Sequence, residues 1–447
     1  GLNQFGFCMT SAFEPIASSR NGVFACGPFT EPKDIPETVM QASGAAGEIS
    51  AFLASARKTL TKEKVYPPEK DVSGQEPKIG VFICHCGINI GGYVGVPDVT
   101  EFAKTLPNVA YAERNLFTCS QDTQERIKKV IEEYKLNRVV VASCTPRTHE
   151  PLFRETIRKA GLNPYLFEMA NIRDQCSWVH MREPDKATEK AKDLVKMAVA
   201  KARLIEPLKP LSLPVSRSAL VIGGGVAGMT SAVTLAEQGF EVHLIERSNV
   251  LGGVARRIHY NLDGEDIQQF LGQLIKKVQE HPKIRVYTDT WIVDVHGYVG
   301  NFTTEIMRYR GRVIEKIDHG VAIIATGAEE YRPDEYLYGR DPRVLTQLEL
   351  EGEIIKKNPD IISCDNLVMI QCVGCRNDER PYCSRVCCNE AIKNALKLKE
   401  MKPEMNIYIL YRDIRTYGFY EEYYEEARRK GIIFLRYDLD DKPRVRQ

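Results

Sequence analysis

The run GGGVAG at 223–228 constrains this chain more than any other feature, because of what surrounds it. The apolar segment ALVI (219–222) leads into it, a helical pattern (226–238) leaves it, and the strand-like EVHLIE (241–246) follows. Gly223 permits a tight turn, Gly225 lets backbone N–H groups approach a pyrophosphate, and Gly228 lets helix and strand pack closely. The helix N-terminus favours an anion. Glu246 closes the next strand, 18 residues after Gly228, where a carboxylate accepts hydrogen bonds from a ribose hydroxyl. Strand, turn, helix, strand and acid in this order predict a parallel-sheet dinucleotide site.

The chain has 447 residues, which at roughly 100–200 residues per domain predicts two to four domains. Its 61 Lys+Arg balance 60 Asp+Glu, so no global attraction to nucleic acid or anionic lipid is expected. No apolar run is long enough to span a membrane. The opening GLNQFGFCMT has neither a basic nor an apolar signal region, so a cytoplasmic location is expected. In a reducing compartment the 13 cysteines point to metal, cluster or redox chemistry, not to disulfides.

Four stretches are distinguishable. Residues 1–60 carry NGVFACGP (21–28), read as a short strand into a turn, then a helix within 33–60 with Pro36 in its first turn. Residues 61–78 are rich in Pro and Lys and read as an exposed linker. Residues 79–210 alternate buried strands (79–84, 138–143, 164–170) with helices (98–106, 121–135, 149–160, 185–204), an α/β domain with a mostly parallel sheet. After a Pro-rich boundary, residues 217–447 hold the glycine turn, a strand-rich stretch (285–326), strands at 366–372 and 406–412 and a helix at 387–400.

The third stretch resembles the thioredoxin-reductase-like class of two-Rossmann flavoproteins from about 219 to 412. RSNVLGG (247–253) is similar to that class's continuation after the ribose acid, and ATG (325–327) to its later strand-end motif near the flavin. The resemblance implies FAD, with Arg247, Gly252, Gly253, Ala325, Thr326 and Gly327 at its site beside the glycines and Glu246. The class's second nucleotide turn should follow strand 366–372. Here that place reads CVGCRNDERPYCSRVCC (372–388), where thiols replace phosphate-binding glycines. Six of the 13 cysteines fall between Cys364 and Cys388, too many for inert core thiols. Three readings stand: a [4Fe–4S] cluster, a structural zinc, or a redox dithiol at Cys372 and Cys375.

Four runs together carry a more specific resemblance: QCVGCRNDERPYCSRVCC (371–388), VFICHCGINIGG (81–92), VVASCTPRTHEPLF (140–153) and EMANIRDQCSWVH (168–180). They closely resemble the heterodisulfide reductase A-subunit family, from about 79 to the C-terminus. That resemblance implies a cytoplasmic iron–sulfur flavoprotein whose FAD splits an electron pair between two acceptors (electron bifurcation). It implies Cys372, Cys383, Cys387 and Cys388 as ligands of one [4Fe–4S] cluster, with Cys375 left out as a spare thiol because relatives commonly carry Ser there. It implies Lys393 as a catalytic cation near the flavin, the plain alternative being a surface lysine. The implied partners are other heterodisulfide-reductase-like subunits and a hydrogenase or dehydrogenase electron donor, in a homodimer within a larger complex. A second [4Fe–4S] cluster is expected on Cys84, Cys86, Cys119 and Cys144, because parallel strands gather their C-terminal ends on one edge. Cys176 is a possible substitute for one of these, and Cys8, Cys26 and Cys364 look structural. The alternative function is a flavin-dependent disulfide reductase using Cys372/Cys375.

The chain departs from the family in lacking the ferredoxin run C-x-x-C-x-x-C-x-x-x-C-P. The class's last FAD-contacting segment, expected after the second Rossmann-like unit, instead has its likeness at 21–46. Residues 1–60 are either the tail of an upstream module in a tandem protein, the simpler explanation, or a segment that folds back to complete this FAD site.

Overall fold

A computed structural model describes residues 1–309, 311 and 313–446 of the chain. It divides into two units: Thr61–Ser212, and Gly1–Leu60 together with Leu213–Gln447.

Helix α1 (Ile35–Phe52) lies in the N-terminal stretch. Asp34 and Glu37 close a capping box at its start, each side chain accepting from the other's backbone N–H. The strand read at 21–28 does not form: Phe24 makes one isolated bridge to Ala17, and a 3-10 turn follows at Gly27–Phe29. A strand needs a ladder of partners, and this segment has a single rung.

The unit 61–212 holds β1 (Ile79–Cys84), the short α2 (Ile88–Gly91), α3 (Val96–Lys104), β2 (Val109–Asn115), α4 (Gln121–Glu133), β3 (Arg138–Ser143), α5 (Pro146–Lys159), β4 (Phe167–Asn171) and α6 (Pro184–Ala202). Its strands form one parallel sheet in the order β2-β1-β3-β4. Strand residues alternate between two cores. Ile79, Val81 and Ile83 join α3 and α6, whereas Phe82, Val139 and Val141 join α4 and α5. Helices on both faces bury β1 and β3 completely, which is why IGVFIC and the central VVVA of RVVVAS carry no charge. Residues 61–78 are not a free spacer. Tyr66 donates to Glu155 at 2.7 Å, Lys70 N donates to Gly161 O at 2.8 Å, and Val72 is buried in the second core.

The other unit continues with β5 (Ser218–Ile222), α7 (Val226–Glu237), β6 (Glu241–Ile245), α8 (Ile267–Glu280), β7 (Ile284–Tyr287), β8 (Thr290–Tyr298), β9 (Asn301–Arg308), β10 (Val313–His319) and β11 (Val321–Ile324). Then come α9 (Gln347–Ile355), the short α10 (Pro359–Ile362), β12 (Asn366–Ile370), α11 (Cys387–Met401), β13 (Asn406–Tyr411), α12 (Tyr420–Arg429) and β14 (Ile433–Arg436). Two parallel sheets, β11-β5-β6-β7 and β12-β13-β14, accompany an antiparallel sheet β10-β9-β8. The architecture is mixed α/β with parallel sheets, as the alternation of apolar strands and helices predicts. Residues 1–60 pack within this unit. Glu48 accepts from Thr234 of α7 at 3.0 Å, Phe13 stacks on Phe270 at 4.2 Å, and Arg385 pairs with Glu37 at 2.6 Å.

Candidate functional site

The glycine turn leaves β5 and opens α7. Gly223 has φ of 111°, and a Cβ there would meet Ala325 O at 2.2 Å. A Cβ at Gly228 would meet Gly223 O at 1.9 Å, so no larger residue fits either place. Gly225 differs: nothing lies within 4 Å of its Cβ position. It is also the N-cap of α7 and supplies no side-chain acceptor, so the first-turn N–H groups face open space without a cap. That combination fits a dinucleotide pyrophosphate. Glu246 braces the turn from below, its Oε2 accepting from Gly224 N at 2.7 Å and its Oε1 from Ser248 N at 2.8 Å and Ser248 Oγ at 2.7 Å. Three of about four carboxylate acceptor sites are therefore occupied, leaving about one for a ligand hydroxyl. Gly253 sits against Gly225, 3.4 Å from its Cα by the Cβ position, and Gly252 is left-handed with φ of 119°. Ala325 N extends the ladder to Ile222 O at 2.7 Å, and Thr326 and Gly327 follow on the exposed side. Arg247 points to solvent and pairs with Glu329.

The thiol loop joins β12 to α11. Cys372, Arg376 and Arg385 all have positive φ, so the loop is wound through left-handed turns. Cys375 N donates to Cys372 O at 3.4 Å, closing the first of them. Four thiols act on one another. The charge of Cys375 and that of Cys388 oppose ionisation at Cys372, and Cys388, Cys375 and Cys372 all oppose it at Cys387. Burial is the largest cause at Cys372, and the hydrogen bond with Cys388 at Cys387. Cys388 is the thiol held low, first by Cys387 and then by Arg415 and Arg376. Arg376 Nη1 lies 3.8 Å from Cys372 Sγ and its Nη2 pairs with Asp413 at 2.5 Å, while Cys388 Sγ reaches Asp413 O at 3.8 Å. Cys383, assigned to the ligand set by resemblance, is half-buried in the same loop, and its Sγ accepts from Arg385 N at 3.4 Å. Cys372 and Cys375 also line a small cleft with Arg412, Tyr437 and Lys442.

Lys393 is not a surface lysine. It is 3% exposed on α11, and its Nζ donates to Glu351 at 2.9 Å and to the Tyr260 carbonyl at 3.0 Å. It also pairs with Glu390 at 2.7 Å and lies 4.9 Å over the Tyr260 ring. Glu351 is fully buried and takes a second bond from His259 N at 2.6 Å. Burial raises the Glu390 carboxyl, an effect Lys393 opposes.

In the other unit, Cys84 ends β1, Cys86 follows with φ of 46°, Cys119 precedes α4 and Cys144 follows β3. Burial raises Cys86, and Cys84, Cys144 and Cys119 add to it. Burial also raises Cys119 and Cys144, each again with Cys84 adding. The strand edge therefore brings the four expected thiols into one another's fields. Thr118 N donates to Cys84 Sγ at 3.4 Å. His85 Nδ1, Asn115 Oδ1 and Thr118 Oγ1, all next to these thiols in sequence or at the same strand ends, are buried without a partner. Orphaned polar atoms around gathered thiols fit a polar inorganic group. Arg173, which the sequence did not single out, supplies a cation that favours ionisation of Cys86 and Cys144. It sits after β4, 4.8 Å over Trp178 and 2.9 Å from Asp174. Cys176 is occupied elsewhere: its Sγ donates to Ala187 O at 3.0 Å, and burial pushes it up to about 11.

Among the described residues, no three His, Cys, Asp or Glu side chains are close enough to hold one metal ion. A single zinc needs every sulfur about 2.3 Å from one point. A four-iron cluster spreads its thiolates around a larger core than a single ion does.

Residues 221–291 match the family model of the NAD(P)-binding Rossmann-like domain, and the chain is of the dinucleotide-binding oxidoreductase class. It is 40% identical to the second iron-sulfur A-subunit of the CoB–CoM heterodisulfide reductase of Methanopyrus kandleri, over 81% of this chain and 69% of that one. It is 37% identical to the A-subunit of the H(2):CoB-CoM heterodisulfide,ferredoxin reductase of Methanothermobacter thermautotrophicus, over 82% and 70%. The chain belongs to the heterodisulfide reductase A-subunit family. Solved flavoproteins align in part: T. acidophilum thioredoxin reductase is 15% identical over 49% of this chain and 64% of that one, with a TM-score of 0.30. A likeness at that level bears on neither site. Among the described residues, no helix is long and apolar enough to cross a membrane.

Proposed function

We propose that this chain is the FAD- and [4Fe–4S]-carrying electron-transfer subunit of a heterodisulfide-reductase-like complex, and that it performs flavin-based electron bifurcation. The observation that carries the reading is the thiol loop between β12 and α11. A second nucleotide turn would lie there, and the chain instead gathers thiols under arginines. Bound FAD exchanges electrons in pairs or singly, and iron–sulfur clusters exchange them singly.

The chain's own residues have separable tasks in this reading. Gly225 and the uncapped start of α7 bind the pyrophosphate, and Gly223 and Gly228 keep that approach clear. Glu246 orients the ribose through its remaining acceptor site. Gly252, Gly253, Ala325, Thr326 and Gly327 line the same turn, with Arg247 at its rim. Lys393 holds a proton and a positive charge at Nζ, fixed in place by Glu351. Cys84, Cys86, Cys119 and Cys144 hold one cluster beside Arg173, and the loop thiols hold the other. Residues 1–60 belong to this flavin-binding unit, which their contacts to α7, Phe270 and Arg385 support. The partners are other reductase subunits and a hydrogenase or dehydrogenase donor, in a dimeric complex of the cytoplasm, where 13 unpaired cysteines stay reduced. Anaerobic purification followed by flavin, iron and sulfide analysis tests the proposal. About eight irons per FAD are expected from two four-iron clusters; flavin without iron would leave only a disulfide reductase.

A further inference from the structure

One arginine at the C-terminal edge of the sheet β2-β1-β3-β4 is held from several directions. The strand register pairs Ser143 with Asn171, and Ile172 N donates to Ser143 O at 2.9 Å, so the chain leaves β4 beside Cys144. Residues Arg173–Ser177 then form a single π-helical turn, a rare conformation that is frequent at functional sites. The turn is tied across the edge. Ser177 Oγ donates to Asn89 O at 2.6 Å, and Asn89 N donates to Cys86 O at 3.2 Å. Arg173 therefore opens a turn fixed to the Cys144 segment on one side and to the Cys86 segment on the other.

Its side chain is fixed as well. Arg173 Nε donates to Asp174 Oδ1 at 2.9 Å, and Asn171 Nδ2 donates to Asp174 Oδ2 at 3.3 Å. Asn171 Oδ1 accepts from the backbone N–H groups of Arg173 and Asp174 at 3.2 and 3.0 Å. The guanidinium lies 4.8 Å over the Trp178 ring. Among the described residues, neither of its Nη groups has an acceptor. Arg114, Arg147 and Arg182 at the same end of the sheet are exposed, whereas the Arg173 side chain is 23% exposed. A half-buried cation is less screened than an exposed one, so its field reaches its neighbours more strongly. The charge of Arg173 and those of Cys144 and Cys86 act on one another, in agreement with this placement.

Resting on the proposed function, we infer that Arg173 sets the reduction potential of the strand-edge cluster, and that Asp174 is the counter-charge that limits its effect. Each electron delivered to that site, by the flavin or a partner subunit, adds one negative charge, and no bond is made or broken. The guanidinium stabilises the added charge, and its two Nη groups are donors of the kind that raise a cluster's potential through its sulfurs.

The test is a redox titration of the anaerobically purified whole chain, following by EPR the cluster signal that Cys84→Ala loses. Arg173→Gln is expected to keep its iron and to shift that signal to lower potential, while Arg173→Lys stays closer to the unsubstituted chain. Asp174→Asn is expected to shift it the other way, to higher potential. Both Arg173→Gln and Asp174→Asn break the same ion pair, so a merely structural role would move them in the same direction. Shifts of one sign in both, or no shift in either, overturn the inference, as does an equal shift of the loop cluster. If Arg173→Gln loses strand-edge iron, Asp174→Asn decides: a raised potential supports the inference, and a lowered or unmoved one overturns it. An unsubstituted chain without strand-edge iron overturns the proposed function and this inference together. A loaded cluster whose potential ignores Arg173 overturns this inference alone.

Discussion

The two thiol sites of this molecule are built by opposite means. At the edge of the sheet β2-β1-β3-β4, the thiols come from segments far apart in sequence and are placed by a buried, doubly covered sheet. In the loop between β12 and α11, the thiols are close in sequence and are placed by left-handed turns, arginines and the start of one helix. The first site inherits its precision from a core. The second depends on polar contacts, among them Arg376–Asp413 and the Glu37–Arg385 pair that reaches back to α1. A sheet edge tolerates change in its loops, whereas a wound loop tolerates little change in its charges.

The largest expected effect falls on the loop-bearing unit. Glu351→Ala removes a fully buried partner of Lys393 and leaves that cation with Glu390 and the Tyr260 carbonyl. Breaking a buried pair in this way costs about 3–5 kcal/mol. Denaturant unfolding should show that loss, and Glu351→Gln should recover part of it; an unchanged midpoint for Glu351→Ala would mean that Lys393 is not held by this pair.

Next is the sheet edge itself. Ile83→Ala beneath Cys84 empties a fully buried place in β1 and should cost about 2–5 kcal/mol. It should also loosen the strand-edge cluster while sparing the loop cluster, seen as faster iron loss to a chelator from one site only. Equal loss from both would break the contrast between the sites.

A smaller effect is expected at the N-terminal stretch. Asp34→Ala removes the capping box of α1 and should cost about 1 kcal/mol. Because Glu37 also belongs to that box and pairs with Arg385, hydrogen exchange should rise in the loop as well as in α1; protection lost in α1 alone would separate the two.

The smallest effect is set by pH. Burial lowers the imidazole of His319, which is bonded to Thr304 at 2.7 Å and to the Val321 carbonyl at 3.0 Å. Its folded value lies below the ordinary ~6.5, so the unfolded chain takes up the proton first. This group therefore leaves stability flat above about 6.5 and erodes it as pH falls below that. His319→Gln should flatten that part of the pH–stability curve, and an unaltered slope would exclude His319 as its cause.

What the sequence disclosed follows from what each residue depends on. β1 and β3 were legible because both faces are covered and their centres, IGVFIC and VVVA, are runs without a charge. The glycine turn was legible because its constraints are local: two glycines sit against backbone oxygens and one against open space. β2 was missed because VAYAERN is half exposed and carries two charges, a pattern that also suits a loop. The expected strand at 21–28 failed because pairing depends on a distant partner that apolar composition does not guarantee. Lys393 was placed on the right helix, yet its burial came from Glu351, 42 residues away, and no local pattern shows such a pair. Arg173 was hidden for the same reason.

The central claim, two independent clusters in a chain that holds one flavin, is tested most directly by iron-to-flavin ratios in the unsubstituted chain, Cys84→Ala and Cys388→Ala, purified side by side without oxygen. The account predicts about eight irons per FAD, falling to about four in each variant, with the EPR signal that one variant loses retained by the other. Either variant losing all its iron, or neither losing any, would contradict it.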